Sequence, residues 1–133
     1  MRILIADHNE VFLEIAQSYL TNKGYEVEIA GDGLECIAIL REFHPHVVVL
    51  DDNILWGGAA GILAQMNDTV ELSRIPVVLI SGALISSADK LESANSQSIK
   101  ITRLPKPFRL GDLAESIAVA AKSGAVHRTH VNV

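Results

Sequence analysis

The sequence predicts an α/β fold: a five-stranded parallel sheet in the order 2-1-3-4-5, doubly wound and flanked by five helices. Three observations carry this expectation. Near-continuous apolar runs occur at residues 3–6, 47–50 and 77–80, the pattern of strands buried on both faces rather than on one. Amphipathic helical stripes separate these runs, and a β-α alternation from start to finish implies right-handed crossovers and a sheet covered on both sides. Each run also leads directly into a polar residue, Asp7, Asp51 or Ser81. A weaker run at 99–102 reaches Lys106 through Arg103, Leu104 and Pro105. The carboxyl ends of neighbouring parallel strands form the crevice where such sheets bind ligands. The order 2-1-3-4-5 makes the first and third strands neighbours, which brings Asp7, His8 and Asp51 together.

The elements follow in order. After Asp7, the residues Phe12, Ile15, Ala16, Tyr19 and Leu20 recur at helical spacing, and Lys23 followed by Gly24 marks a stop, giving a helix over about 10–23. Tyr25, Val27 and Ile29 alternate as the second strand, and Gly31, Asp32 and Gly33 turn the chain into a helix packed through Cys36, Ile37 and Leu40. Pro45 precedes the third strand. Gly57 and Gly58 open a loop leading to a short helical stripe of Ala59, Ile62, Leu63 and Met66, and Pro76 introduces the fourth strand. Residues 84–98 hold five serines, with Ala88, Leu91 and Asn95 at helical spacing, and are expected to form a polar, weak fourth helix. Leu110, Leu113, Ala114, Ile117 and Ala121 share one face of the last helix, expected to end near Gly124. The expected organisation is one domain over 1–124 and a frayed tail over 125–133.

Size and composition narrow the function. A chain of 133 residues fits one domain and buries on the order of 65–70% of its unfolded surface, enough for a core without staples. The single cysteine, Cys36, excludes an intramolecular disulfide framework, no Cys/His spacing resembles a zinc site, and a reducing cytoplasmic setting is the simplest expectation. A net charge of -5 argues against direct nucleic-acid or anionic-membrane binding and for protein partners. The N-terminal apolar run is too short for a signal-peptide core or a membrane span.

Over residues 1 to about 122 these features resemble the receiver domain of two-component response regulators, a flavodoxin-like fold. The resemblance implies that Asp51, at the end of the third strand, accepts a phosphoryl group. It implies Mg²⁺ held by Asp7, Asp51 and the backbone carbonyl of Asn53, with His8 falling where the family places a direct acidic ligand. Ser81 would donate its hydroxyl to a phosphoryl oxygen, and Lys106 would supply a fixed cation, so that catalysis is positioning plus charge neutralisation. A cis peptide between Lys106 and Pro107 is implied as well, an isomer accessible chiefly to X-Pro bonds. The implied partners are a histidine kinase or phosphotransfer protein upstream and a protein partner or output domain downstream, reached through the face of helix four, strand five and helix five. The implied protein is a signalling module, not an enzyme apart from self-phosphorylation and dephosphorylation at Asp51.

Several positions depart from the family pattern. The pair after strand one is Asp7 and His8 instead of two acids, and a neutral imidazole is a poor Mg²⁺ ligand. Glu10, one turn into the first helix, or a softer metal bound through His8 could compensate. Ile54 and Leu55 replace a common Met-Pro, Ala59 replaces a glycine, and Arg103 stands where an aromatic switch residue usually works with Ser81. These departures support a second reading, a phosphorylation-independent pseudo-receiver that serves as a protein-interaction module. A third, a flavodoxin-like small-ligand binder, lacks the phosphate loop and stacking aromatics that flavin needs.

Plainer roles exist for single residues. Asp7 can cap the first helix, Asp52 is expected to be solvated, His44 and His46 are expected as solvated loop residues, and Cys36 as inert core. Trp56 is expected to pack on its own loop beside the pocket.

Overall fold

The computed structural model describes residues 1–54, 58–82 and 99–132, with side chains through residue 123 in the last helix. Five strands, β1 (Arg2–Ala6), β2 (Glu26–Ala30), β3 (Val47–Asp51), β4 (Val77–Ser81) and β5 (Ile101–Pro105), form one sheet in the order β2-β1-β3-β4-β5. Every pairing is parallel, as predicted. The helices are α1 (Glu10–Asn22), α2 (Gly33–Phe43), α3 (Gly58–Asn67), the single turn α4 (Val70–Ser73) and α5 (Leu110–Asn132).

Both faces of the sheet are covered. Residues 3–6 of β1 and all apolar residues of β3 and β4 are fully buried. On one face Leu4, Val48, Leu50 and Leu79 pack with Cys36, Leu40, Ile62 and Met66 from α2 and α3. On the other, Ile5, Val49, Val78 and Ile80 pack with Leu13 and Leu20 of α1 and Leu113 and Ile117 of α5. Successive strand side chains alternate between the two cores, so neither face can be solvated without exposing every second apolar residue. Burying each such Leu, Ile or Val stabilises the fold by about 1.5–3 kcal/mol.

The local signals behind the helices are specific. Asn9 is the N-cap of α1, its side chain accepting from the Phe12 amide at 3.1 Å. Asp7 acts one step earlier, accepting from the Asn9 amide at 2.9 Å, so the cap suggested for Asp7 falls to Asn9. Gly24, with φ +95°, closes α1 in the left-handed region that glycine tolerates best. Asp32 caps α2 through the Glu35 amide at 2.8 Å, and Glu35 reaches back to the Gly31 amide at 3.3 Å, a variant of the capping box. At the other end, the Arg2 guanidinium donates to the Phe43 and His44 carbonyls at 2.8–3.0 Å, satisfying orphan acceptors of α2.

Four expectations change. β5 lies two to three residues later than the weak apolar run, because Val77 pairs with Ile101 and the Lys100 carbonyl only leads into the ladder. The helix α5 continues through Gly124 to Asn132: one glycine costs a helix only about 1 kcal/mol, and the residues around it are no breakers. The turn α4, capped by the Thr69 hydroxyl on the Leu72 amide at 3.1 Å, is too short to leave a periodic signal. His46 is half-buried, its Nδ1 accepting from the Arg2 amide at 2.9 Å, whereas His44 is exposed as expected. The helix expected over 84–98, and Trp56 with its loop, lie outside the described residues.

Cys36 is fully buried against β1 and β3. Burial, followed by the charges of Asp32 and Glu35, pushes its thiol from 9.0 to about 12. The neutral thiol is therefore favoured by the fold. Its contribution to stability is complete below pH 9 and is lost as the pH rises through about 12. We expect no alkylation of the folded protein by iodoacetamide at pH 8 and complete alkylation in denaturant, read by intact mass; rapid native alkylation would contradict the packing. Asp32→Ala should cost about 1 kcal/mol through loss of the cap, a fall in Tm of about 3–5 °C, measurable by thermal unfolding.

Candidate functional site

The parallel register aligns the carboxyl ends of β1, β3, β4 and β5 along one rim. Asp7 follows β1, Asp51 ends β3 opposite Ile80, Ser81 ends β4 opposite Pro105, and Lys106 follows β5. The ladder runs on past the strands: the Asp7 amide donates to the Ala30 carbonyl at 3.0 Å, Asp52 to Ile80 at 3.0 Å, and Lys106 to Ser81 at 2.8 Å. The site residues are thus fixed by sheet hydrogen bonds at their own main chains. The Lys106-Pro107 peptide is cis, and Phe108 just beyond it meets Phe12 of α1 edge-on, with ring centroids 5.9 Å apart.

The side chains converge on Asp51, which is fully buried. Lys106 Nζ donates to Asp51 Oδ1 at 3.0 Å. His8 Nδ1 lies 3.1 Å from Asp51 Oδ2 and 3.5 Å from Asp7 Oδ1. Asp7 and Ser81 are also buried, while His8 remains about half exposed. Donor atoms of Asp7, His8 and Asp51 all lie within 4.8 Å of one another. Two carboxylates this close repel, and the Lys106 ammonium, paired to Asp51 at 3.0 Å, offsets part of that repulsion.

The shifts follow from this crowding. Burial raises the Asp7 carboxyl above the usual carboxylate value; the Asn9 amide opposes this, Asp51 adds to it, and His8 and Lys106 oppose it further. For Lys106, burial alone would lower the pKa, but the hydrogen bond to Asp51 and the charges of Asp51, Asp7 and Asp52 together raise it. Lys106 is therefore a fixed cation, and its contribution to stability, complete below 10.5, is lost only as the pH climbs through the raised value.

Asp52 corrects the expectation of a solvated carboxylate. It is half-buried, its Oδ1 is buried with no hydrogen-bond partner among the described residues, and burial followed by the Asp51 charge raises its pKa against the Gly82 amide. Sequence reasoning missed it because strand alternation turns it away from Asp51. The doubled acid at 51 and 52 was the available signal, since successive side chains leaving a strand turn to opposite faces of a sheet that is covered on both.

The remaining candidates sit as follows. Asn53 is exposed two residues beyond Asp51. Glu10 opens α1 and lines a separate cavity of about 340 Å³ with Glu14 and Glu35; the donor group holds Asp7, His8 and Asp51 without it. Arg103 is half-buried in β5, in register with Leu79. With an imidazole beside its two carboxylates the donor set fits Mg²⁺ poorly, because that ion prefers a tight octahedron of hard oxygens.

Comparison with known proteins agrees with this arrangement. The family model described as "Response regulator receiver domain" matches residues 3–118. The polar-differentiation response regulator DivK of Brucella ovis is 25% identical over 116 residues, covering 86% of this chain and 91% of DivK. A protein-glutamate methylesterase/protein-glutamine glutaminase of Rhodopseudomonas palustris is 34% identical over 95 residues, covering 71% of this chain but only 25% of that protein. Among solved structures, NtrX from Brucella abortus superposes with a TM-score of 0.85 at 21% identity, over 98% of this chain and 29% of that one. The Vibrio cholerae chemotaxis protein CheY4 superposes with a TM-score of 0.79 at 19% identity, over 90% and 97%. The chain thus spans about a quarter of the methylesterase and nearly all of DivK. With the family model running from β1 into α5, across every strand end that builds the rim, this chain belongs to the response regulator receiver domain family.

Proposed function

We propose that this receiver domain acts in two-component signalling by accepting a phosphoryl group on Asp51. Receiver domains exchange phosphoryl groups with histidine kinases or phosphotransfer proteins, act on output domains, and bind Mg²⁺ at an acidic site. The observation that carries the reading is the fully buried Asp51 carboxylate at the rim of the sheet, held at 3.0 Å by the Lys106 ammonium. A buried carboxylate without a cation would cost several kcal/mol, so the site is built around a charge worth keeping.

In this reading an Asp51 oxygen attacks the phosphorus of a phosphohistidine or a small acyl phosphate. The new O–P bond forms as the donor's N–P or O–P bond breaks, and the bonding pair leaves with the donor. Lys106 neutralises the phosphoryl oxygens as charge gathers on them, and Ser81, at the end of β4, donates its hydroxyl to one of them. The signal leaves through the β5–α5 side; the helix expected over 84–98 as part of that face lies outside the described residues. A groove of about 370 Å³ lined by Thr102, Leu104, Phe108, Glu115 and Val119 gives a protein partner a concave surface there. The setting we assign is cytoplasmic; no helix among the described residues is long and apolar enough to cross a membrane.

One contact favours a second reading. His8 already supplies Asp51 Oδ2 with a polar partner at 3.1 Å, so both Asp51 oxygens are engaged without phosphate, as a constitutive interaction module would require.

Intact mass after incubation with acetyl phosphate or phosphoramidate, with Mg²⁺, Mn²⁺ or no added metal, separates the two. A phosphate-sized gain in the folded protein, absent in Asp51→Ala, is the expected result; no gain under any condition would overturn phosphorylation and leave the constitutive module. Lys106→Ala should slow the gain by about 10²–10³, the usual cost of one pre-positioned charge-stabilising donor, measured as the initial rate of phosphoprotein formation.

A further inference from the structure

We propose that Asp7, His8 and Asp51 form a site for a divalent first-row transition-metal ion that accepts one nitrogen and two carboxylate donors, in preference to Mg²⁺. The inference rests on the same rim that the phosphoacceptor reading uses, but it concerns which ion the rim holds.

The geometry supports it. With metal–donor bonds of about 2.1 Å, two ligand atoms stand about 3.0 Å apart at a right angle and about 3.4 Å apart at a tetrahedral angle. His8 Nδ1 lies 3.1 Å from Asp51 Oδ2 and 3.5 Å from Asp7 Oδ1, so the imidazole stands from each carboxylate at the spacing of two ligands on one ion. Lys106 occupies the other Asp51 oxygen, Oδ1, which leaves Oδ2 on the His8 side. Asp7 is oriented by the Asn9 amide at 2.9 Å, an outer-shell contact of the kind that steadies metal ligands. His8 is 49% exposed, which gives an ion an entry path and room for water or phosphoryl oxygens in its remaining positions.

The chemistry sets the preference. Mg²⁺ surrenders water reluctantly and favours oxygen, as Mn²⁺ does, whereas imidazole suits Fe²⁺, Ni²⁺, Cu²⁺ and Zn²⁺, with affinity rising along the first-row series towards copper. Exchanging a carboxylate for a neutral imidazole also removes one negative charge from the shell. That loss weakens every hard-ion interaction, while the nitrogen donor compensates only for the ions that bind it well.

The test is isothermal titration calorimetry of the whole chain with Mg²⁺, Mn²⁺ and Ni²⁺, with amide NMR under substoichiometric Ni²⁺ to locate the ion by paramagnetic broadening. We expect one Ni²⁺ per chain that broadens signals around Asp7, His8 and Asp51, bound at least about tenfold more tightly than Mg²⁺. His8→Asp should tighten Mg²⁺ and shrink the Ni²⁺ preference, and His8→Ala should weaken Ni²⁺ without restoring Mg²⁺. Circular dichroism checks that both variants remain folded. Mg²⁺ bound as tightly as Ni²⁺, a preference unchanged in His8→Asp, broadening confined to the other histidines, or no heat with any ion would each overturn the proposal.

Failure of this proposal and failure of the phosphoacceptor reading are distinguishable. Phosphorylation of Asp51 in a protein that binds Mg²⁺ as tightly as Ni²⁺, or binds neither, would overturn the ion preference alone. Ni²⁺ seated on Asp7, His8 and Asp51 in a protein refractory to phosphoryl donors would uphold the preference and sink the phosphoacceptor.

Discussion

The rest of the molecule depends on the burial of β1, β3 and β4 on both faces. Strands with no solvated side have no place along their length for a charge. The chain can carry polar chemistry only where the strands end, and the parallel register gathers those ends on one rim. Asp51 is the limiting case: it is the last residue of β3 and shares the complete burial of the four apolar residues before it. Its carboxylate is tolerable because Lys106, at the end of another strand, is brought to 3.0 Å by the same sheet. Fold and site are therefore one construction, since the core that excludes water also makes the ion pair necessary.

The architecture was legible because its signals are redundant. The runs at 3–6, 47–50 and 77–80 each announce a doubly covered strand, and Gly24, Asp32, Pro45 and Pro76 mark boundaries with definite mechanisms. Edge elements were harder to place. β5 packs only one strongly buried residue, Leu104, and its Thr102, Arg103 and Pro105 do not look like a strand until β4 supplies a partner. The length of α5 was misread because a single glycine is weak punctuation when its neighbours accept a helix.

At the rim, the sequence revealed which residues meet but not how they share charge. Lys106, Asp51, Asp7 and His8 could be brought together from topology alone. That His8 Nδ1 would face both carboxylates, and that one Asp52 oxygen would be buried without a partner among the described residues, depends on side-chain rotation at the strand ends, about which hydrophobic periodicity says nothing. His46 was misjudged for a similar reason: an imidazole beside a proline looks solvated until the Arg2 amide, forty-four residues away in sequence, is found donating to it.

The two outermost strands carry a further consequence. An open sheet leaves a row of unpaired amides and carbonyls at each border, a template on which a foreign chain can add. β2 borders the sheet with exposed Glu26 and Glu28, and β5 with half-buried Arg103 and an exposed Pro105 that has no amide to donate. A strand arriving at β2 would bring its backbone beside two carboxylates, and one arriving at β5 would meet a cation and a missing donor. The borders thus discourage association through the main chain and leave recognition to side chains.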